Sequence, residues 1–371
     1  MAISANKLGQ FAGVQALRGA ASLLVVANHA SAVWSERLAP TSGPPAFLRG
    51  SFGVDLFFVI SGFVMAVFTT SFAKRPDAAA EFLKRRLIRI LPLYWLVTLI
   101  KVTVACIYPR LTIHQLPSVW NIVASLFLIP TRLTHGLIGV VVSAGWTLSL
   151  ELVFYLFFAI ALKLRRPPLQ VLLPTLGVVA TIGFFNRPSW PPITYLANPL
   201  TLEFLAGVVL GTYRATLASV LPLPARWLLL LFSTVTICYA LYSIAILGEP
   251  PLAMLLRMSI WGAASLCLVA SVVLLESQIG RLLPNLALAI GDASYSIYLW
   301  QTLLLPALAI LLLGLRLDRL SLGYLICTVL SLVVCILGGL LSFRLLDRPA
   351  TEWLRLRISR LSRPILTITA P

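Results

Sequence analysis

The sequence predicts an all-α integral membrane protein with about ten transmembrane helices, one short re-entrant or interfacial segment, and both termini in the cytoplasm. Three observations predict it. First, 59% of the 371 residues are hydrophobic and 11% charged, with a mean hydropathy of +0.96, whereas an ordinary soluble chain is roughly 25% charged. Second, the apolar residues form continuous runs near the length of about 20 that crosses a hydrocarbon core, not the alternating ten-residue segments of a barrel. Third, the basic residues gather in alternate loops. Such a composition excludes a soluble enzyme, a disordered chain, a collagen-like fibre and a secreted disulfide scaffold.

The runs cover residues 11–34, 52–72, 87–108, 119–130, 137–162, 169–185, 195–213, 227–247, 252–275, 286–313 and 320–345. The run 119–130 is too short to span and is expected to dip into the membrane or lie at its surface. With that segment not crossing, Lys84, Arg85, Arg86 and Arg89, then Lys163, Arg165 and Arg166, then the arginines from Arg344 to Arg363 all fall on the side of the N-terminus. A full crossing would swap the later clusters outward, against the excess of Lys and Arg in cytoplasmic loops. The net charge of +17 is therefore a topological signal, and nucleic acid is not an expected partner. The first run continues into polar residues and is expected to act as its own insertion signal. One polytopic domain is expected over residues 1–355, followed by a basic cytoplasmic tail, 356–371. The location implied is a cell (inner) membrane, in multi-pass form. The five cysteines lie inside apolar runs without CxxC spacing, so neither a metal site nor a disulfide framework is expected.

Ionisable residues within spans are costly unless they face a cavity or a partner. Arg18 and His29 are eleven residues apart on one helix. At about 100° and 1.5 Å per residue they share a face and stand roughly 16 Å apart along the axis. Asp55 follows the outer start of the second span at a depth expected to match His29, where a carboxylate can orient an imidazole; the alternative is a helix cap. Glu151 and Glu203 are expected near the midplane on two inward-running helices, either around a polar cavity or as interhelical clamps. Arg86 and Arg89, at i and i+3, share one face at the cytoplasmic start of the third span. Guanidinium pairs grip phosphate groups, although basic anchoring explains the same pattern. Lys101 is expected to snorkel, His114 and His135 to be loop residues, and Asp292 to cap its helix.

These segments resemble the acyltransferase family 3 membrane proteins over most of the chain. The resemblance is carried by Leu17-Arg18-Gly19-Ala20 with His29; by Gly53-Val54-Asp55-Leu56-Phe57-Phe58-Val59-Ile60-Ser61-Gly62-Phe63; by Arg85-Arg86-Leu87-Ile88-Arg89-Ile90 with Pro92; by Gly145-Trp146-Thr147-Leu148 with Glu151 and Tyr155; and by Ser294-Tyr295-Ser296-Ile297-Tyr298-Leu299. Asp347-Arg348-Pro349 looks like the family's ending. The sequence around Trp146 and Gly291 is similar to exopolysaccharide O-acetyltransferases. Two positions depart from the pattern: Gln301 stands where many members carry His, and Leu152 and Val153 follow the glutamate.

The resemblance implies an acyl-CoA co-substrate, acetyl-CoA foremost, on the cytoplasmic side. It implies a polysaccharide or lipid-linked sugar hydroxyl as acceptor on the outer side. Arg86 and Arg89, with Arg18, would bind the donor. His29 would act as the base, with Arg18 beside the path of the acyl group and Asp55 or Glu151 orienting the ring. Glu203, Trp146 and Tyr155 are the expected acceptor contacts. The rival classes are a proton-coupled transporter of a small polar solute, which also needs buried carboxylates, and a structural subunit of a polysaccharide assembly.

Overall fold

The computed structural model describes residues 11–39, 47–108, 117–134, 136–187, 189–243, 257–316 and 322–361. His114 and His135 lie outside them. Seven stretches of helix are long and apolar enough to cross a membrane: Ala12–Leu38, Arg49–Thr69, Ala78–Ile107, Gly145–Lys163, Pro192–Val220, Ser294–Gly314 and Gly323–Ile358. A bent pair, Met258–Leu274 and Glu276–Leu282, meets at 63°, and Pro168–Phe184 and Leu223–Tyr239 are shorter apolar helices.

Helix α1 (Ala12–Val33) runs on through a π-helical turn, Trp34–Leu38. Its first amides find no acceptors within the helix. The Glu276 carboxylate supplies them, accepting from the Ala12 amide at 2.7 Å and the Gly13 amide at 3.0 Å. Helix α2 (Phe52–Thr69) returns antiparallel to α1, entered through a 3-10 turn, Leu48–Ser51. Helix α3 (Ala78–Ile107) starts nine residues before the apolar run that predicts it. Arg85, Arg86 and Arg89 are therefore two to three turns inside the helix and not at its first residue. Their long alkyl stems extend the helix's apolar surface.

The short segment is α4 (Val119–Leu126), eight residues long, far less than a membrane needs. Ser118 and Asn121 form a reciprocal capping box at its start. Tyr94 and Trp95 on α3 donate to the carbonyls of Ser125 and Leu126 at 2.9 and 2.8 Å, pinning α4 against α3. The apolar run from residue 137 divides. A two-stranded hairpin, β1 (Thr131–Arg132) and β2 (Ile138–Gly139), precedes α5 (Gly145–Lys163). Apolar composition alone does not separate an extended entry from the helix it feeds.

Helix α6 (Pro168–Phe184) opens with proline at its first position, where the missing N–H costs nothing. Helices α7 (Thr201–Val220) and α8 (Leu223–Ser243) follow. Helix α7 packs along α2 with the backbones almost touching. A Cβ at Gly62 would collide with the Phe204 carbonyl, and one at Gly207 with that of Val59. Only glycine permits this approach. The register ascends together, Val59 facing Gly207 and Ala66 facing Gly211, so α2 and α7 run parallel. With α6 crossing, a full crossing by α4 would have made them antiparallel.

Beyond α9 (Ala263–Leu274) and the single turn α10 (Glu276–Ile279), the run 286–313 is broken. Helix α11 (Asn285–Asp292) ends at Asp292, and α12 (Ser294–Gly314) begins after Ala293 with no side-chain cap. The cap expected of Asp292 is not formed: Asp292 closes α11, and its carboxylate accepts a hydrogen bond from the Gln15 side-chain amide on α1. Helix α13 (Gly323–Ser342) passes through a π-helical turn, Phe343–Asp347, into α14 (Arg348–Leu361). The chain stays helical across residues 355 and 356, where the tail is expected to begin.

The core is aromatic where α2, α3, α5 and α7 meet. Phe154 stacks on Phe204 with centroids 4.7 Å apart, Phe58 lies 4.4 Å from Phe204, and Phe82 stacks on Phe158 at 5.0 Å. Offset stacking of this kind adds about 0.5–1.5 kcal/mol per pair beyond area burial.

Candidate functional site

Six helices enclose a cavity of about 170 Å³. Arg18 comes from α1; Phe57, Ser61, Val64 and Phe68 from α2; Arg85, Arg86 and Arg89 from α3; Thr147, Glu151 and Tyr155 from α5; Tyr295 and Tyr298 from α12; Arg355 from α14. It lies at the end of the bundle that holds the start of α1 and the whole of α14. The expected donor residues, Arg18, Arg86 and Arg89, thus share one wall system.

The arginines are held by surroundings that leave charge to spare. Arg86 sits between the rings of Phe68 and Phe82, 5.6 and 5.8 Å from their centroids, and its Nε is buried without a hydrogen-bond partner. Ring faces attract a guanidinium without consuming its donors. Arg85 pairs with Glu81 at 2.6 Å and lies over the Phe72 ring. Arg18 donates to the Gln15 side chain at 3.3 Å, and it feels the charges of Arg89, Glu151 and Asp292. Among the described residues, the only carboxylate on the cavity wall is Glu151. It accepts from Ser61 at 2.7 Å and from Tyr155 at 2.5 Å.

Proline 92 lies three residues beyond Arg89 inside α3. Its missing N–H breaks the intrahelical ladder. Tyr295 reaches the same stretch, its hydroxyl donating to the Ile90 carbonyl at 2.6 Å. Tyr298 exchanges a 2.8 Å hydrogen bond with Thr147 and reaches the Ala144 carbonyl at 3.1 Å. These contacts hold α12 against α3 and α5 and fix two walls of the cavity.

His29 does not line this cavity. It is partly buried on α1, and its ring makes no hydrogen bond or ion pair among the described residues. The expected match in depth between His29 and Asp55 does not hold. Gly50 faces Leu24 and Asn28, and Gly53 faces Ala21 and Val25. Running antiparallel, Asp55 comes level with the turn between Arg18 and Ser22, roughly 10 Å short of His29. The entry turn before α2 reaches down along α1, whereas counting from span ends assumes that both ends are flush. The partner of Asp55 is Arg257, whose Nη2 donates to its Oδ2 at 2.9 Å. Glu151, level with Ser61, likewise faces the Arg18 end and not the imidazole.

The three expected acceptor contacts separate. Tyr155 lines the cavity. Trp146 packs edge-on to Phe58 at 6.4 Å. Glu203 is buried beside Asp55 and Gly262, in the group completed by Arg257 over the Trp261 ring at 5.0 Å. Gln301 is buried, its amide bonded to the Tyr298 carbonyl at 3.0 Å. Sequence reasoning missed Arg257, Arg355, Tyr295 and Tyr298 as site residues. The tyrosines stand in a motif already singled out, and the two arginines look like a loop charge and one of the basic residues that follow the last apolar run.

A family described as Acyltransferase domain, acyltransferase family 3, matches residues 11–340. The exopolysaccharide production protein ExoZ of Rhizobium meliloti (strain 1021) is 34% identical over 270 residues, covering 71% of this chain and 79% of the relative. No solved structure matches the chain. The six-helix arginine cavity is thus the polar heart of a chain that belongs to the acyltransferase family 3 membrane proteins.

Proposed function

We propose that this membrane acyltransferase moves an acyl group, acetyl foremost, from cytoplasmic acyl-CoA to a hydroxyl of a polysaccharide or lipid-linked sugar on the outer face of the inner membrane. The observation that carries the reading is the convergence of Arg18, Arg85, Arg86, Arg89 and Arg355 on one cavity against a single carboxylate. Multiple guanidiniums around one space suit a polyanionic phosphate donor. The roughly 16 Å rise from Arg18 to His29 along α1 suits a donor that carries its reactive group on a long arm. ExoZ, by its name, serves exopolysaccharide production, which favours a sugar acceptor.

In the proposed step, the acceptor oxygen attacks the thioester carbonyl carbon while neutral His29 takes the hydroxyl proton. The new C–O bond forms, the C–S bond breaks, and the thiolate leaves as CoA, regaining a proton from the imidazolium. Glu151, Ser61 and Tyr155 hold one another in place below, on the same cavity wall as Arg18. Asp55 serves the architecture through Arg257. A carrier would have no use for a phosphate grip at one mouth, and membership of an acyltransferase family favours transfer over transport.

The test is mass analysis of cell-surface polysaccharide from cells with and without the chain. A shift by one acyl mass per repeat, lost on deletion and restored by the parent but not by His29→Ala, is the expected result. An unchanged mass would sink the reading.

A further inference from the structure

The cavity arginines form two tiers. Arg18 and Arg86 are half-buried, and the Arg86 Nε is fully buried with no hydrogen-bond partner among the described residues. Arg85 and Arg355 stand at the rim; the Arg85 side chain is 34% exposed and Arg355 is solvent-facing on α14. Arg89 links them, close enough to interact with both Arg18 and Arg355. Like charges brought together from three helices, α1, α3 and α14, cost energy unless a ligand answers them. One compact anion would answer one tier only. Two tiers suit a ligand with two phosphate groups held apart.

Arg355 also lies beyond residue 340, where the family match stops. It reaches the cavity because the π-helical turn Phe343–Asp347 leads α13 into α14, which packs against α3. Asp347, hydrogen-bonded to Ser296 at 3.1 Å, fastens that turn to α12.

We propose that Arg355, with Arg85, forms a rim subsite for the terminal ribose phosphate monoester of coenzyme A, while Arg18, Arg86 and Arg89 take the diphosphate. This inference rests on the donor reading above. It makes α14 a specificity element that tells CoA from its 3′-dephospho form.

The test uses the full-length purified protein in lipid nanodiscs, with CoA and 3′-dephospho-CoA titrated separately by calorimetry. A charge-assisted hydrogen bond to a phosphate predicts that the parent prefers CoA by about tenfold. Arg355→Gln should lower CoA affinity to the dephospho level and leave dephospho-CoA affinity unchanged. Arg85→Gln gives a second route to the same readout if the first variant does not fold. Equal binding of both ligands by the parent, or equal losses for both in Arg355→Gln, would overturn the subsite while leaving the donor reading standing. Failure of the parent to bind either ligand would overturn both.

Discussion

Replacing Arg257 with alanine strands a charge in the interior. The Asp55 side chain is 0% exposed, takes Arg257 at 2.9 Å, and has no hydrogen bond at its other oxygen. Removing one partner of a buried ion pair costs about 3–5 kcal/mol. Arg257 retains 25% exposure, so water can partly reach the site and the lower figure applies, about 3 kcal/mol. Loss of the contact with the Trp261 ring adds about 0.5–1 kcal/mol. At about 2–4 °C per kcal/mol for larger chains, the melting point should fall by roughly 10 °C. The assay is thermal unfolding of the purified protein in detergent at one fixed scan rate, because unfolding of such chains is often irreversible. Adding Asp55→Asn to Arg257→Ala removes the stranded charge and should recover most of the loss. Glu203→Gln, which leaves the Asp55–Arg257 pair intact, should cost less than Arg257→Ala in the same assay. An Arg257→Ala protein melting within about 2 °C of the parent, or a double variant less stable than the single one, would refute the reasoning.

His29→Ala should lower acyl transfer by about 10²–10⁴-fold, the usual worth of a general base, with membrane level and melting point unchanged; a loss smaller than about tenfold would remove His29 from the step. Arg86→Ala combined with Arg89→Ala should weaken CoA binding in calorimetry while the chain still inserts, and unaltered CoA affinity would leave the pair a topological anchor. Gly207→Ala drives a methyl into the Val59 carbonyl and should cost at least about 1–3 kcal/mol in the same melting assay. With the five native cysteines replaced, a single cysteine at Arg187 should react with an impermeant thiol reagent from outside, and one at Lys74 should not. Reversed labelling would invert the donor side.

What could be foreseen and what could not divide along sequence distance. Long apolar runs made the helical membrane architecture plain, because a bilayer imposes one length and one backbone solution on every span. Arg86 and Arg89 were legible as a pair because i and i+3 share a face whatever surrounds them, and Arg18 meets them in one cavity. The Asp55–Arg257 pair was not legible, since 202 residues separate its members. Arg257 is indistinguishable by type from a loop arginine that satisfies the charge bias. The same ambiguity hid Arg355 among the C-terminal basic residues, at the last position expected for the membrane domain. Depth matching between His29 and Asp55 failed because a helix end is set by its turn, here Leu48–Ser51, and not by where hydrophobicity begins.

The cavity draws Arg18 from the first helix and Arg355 from the last, and Glu276 closes the amino end of α1 from far along the chain. A ribosome that has released only part of this polypeptide has made no part of the site that works by itself. Domains and helices assemble in order of synthesis, so the charged face of α1 must wait in the membrane until later helices arrive to enclose it.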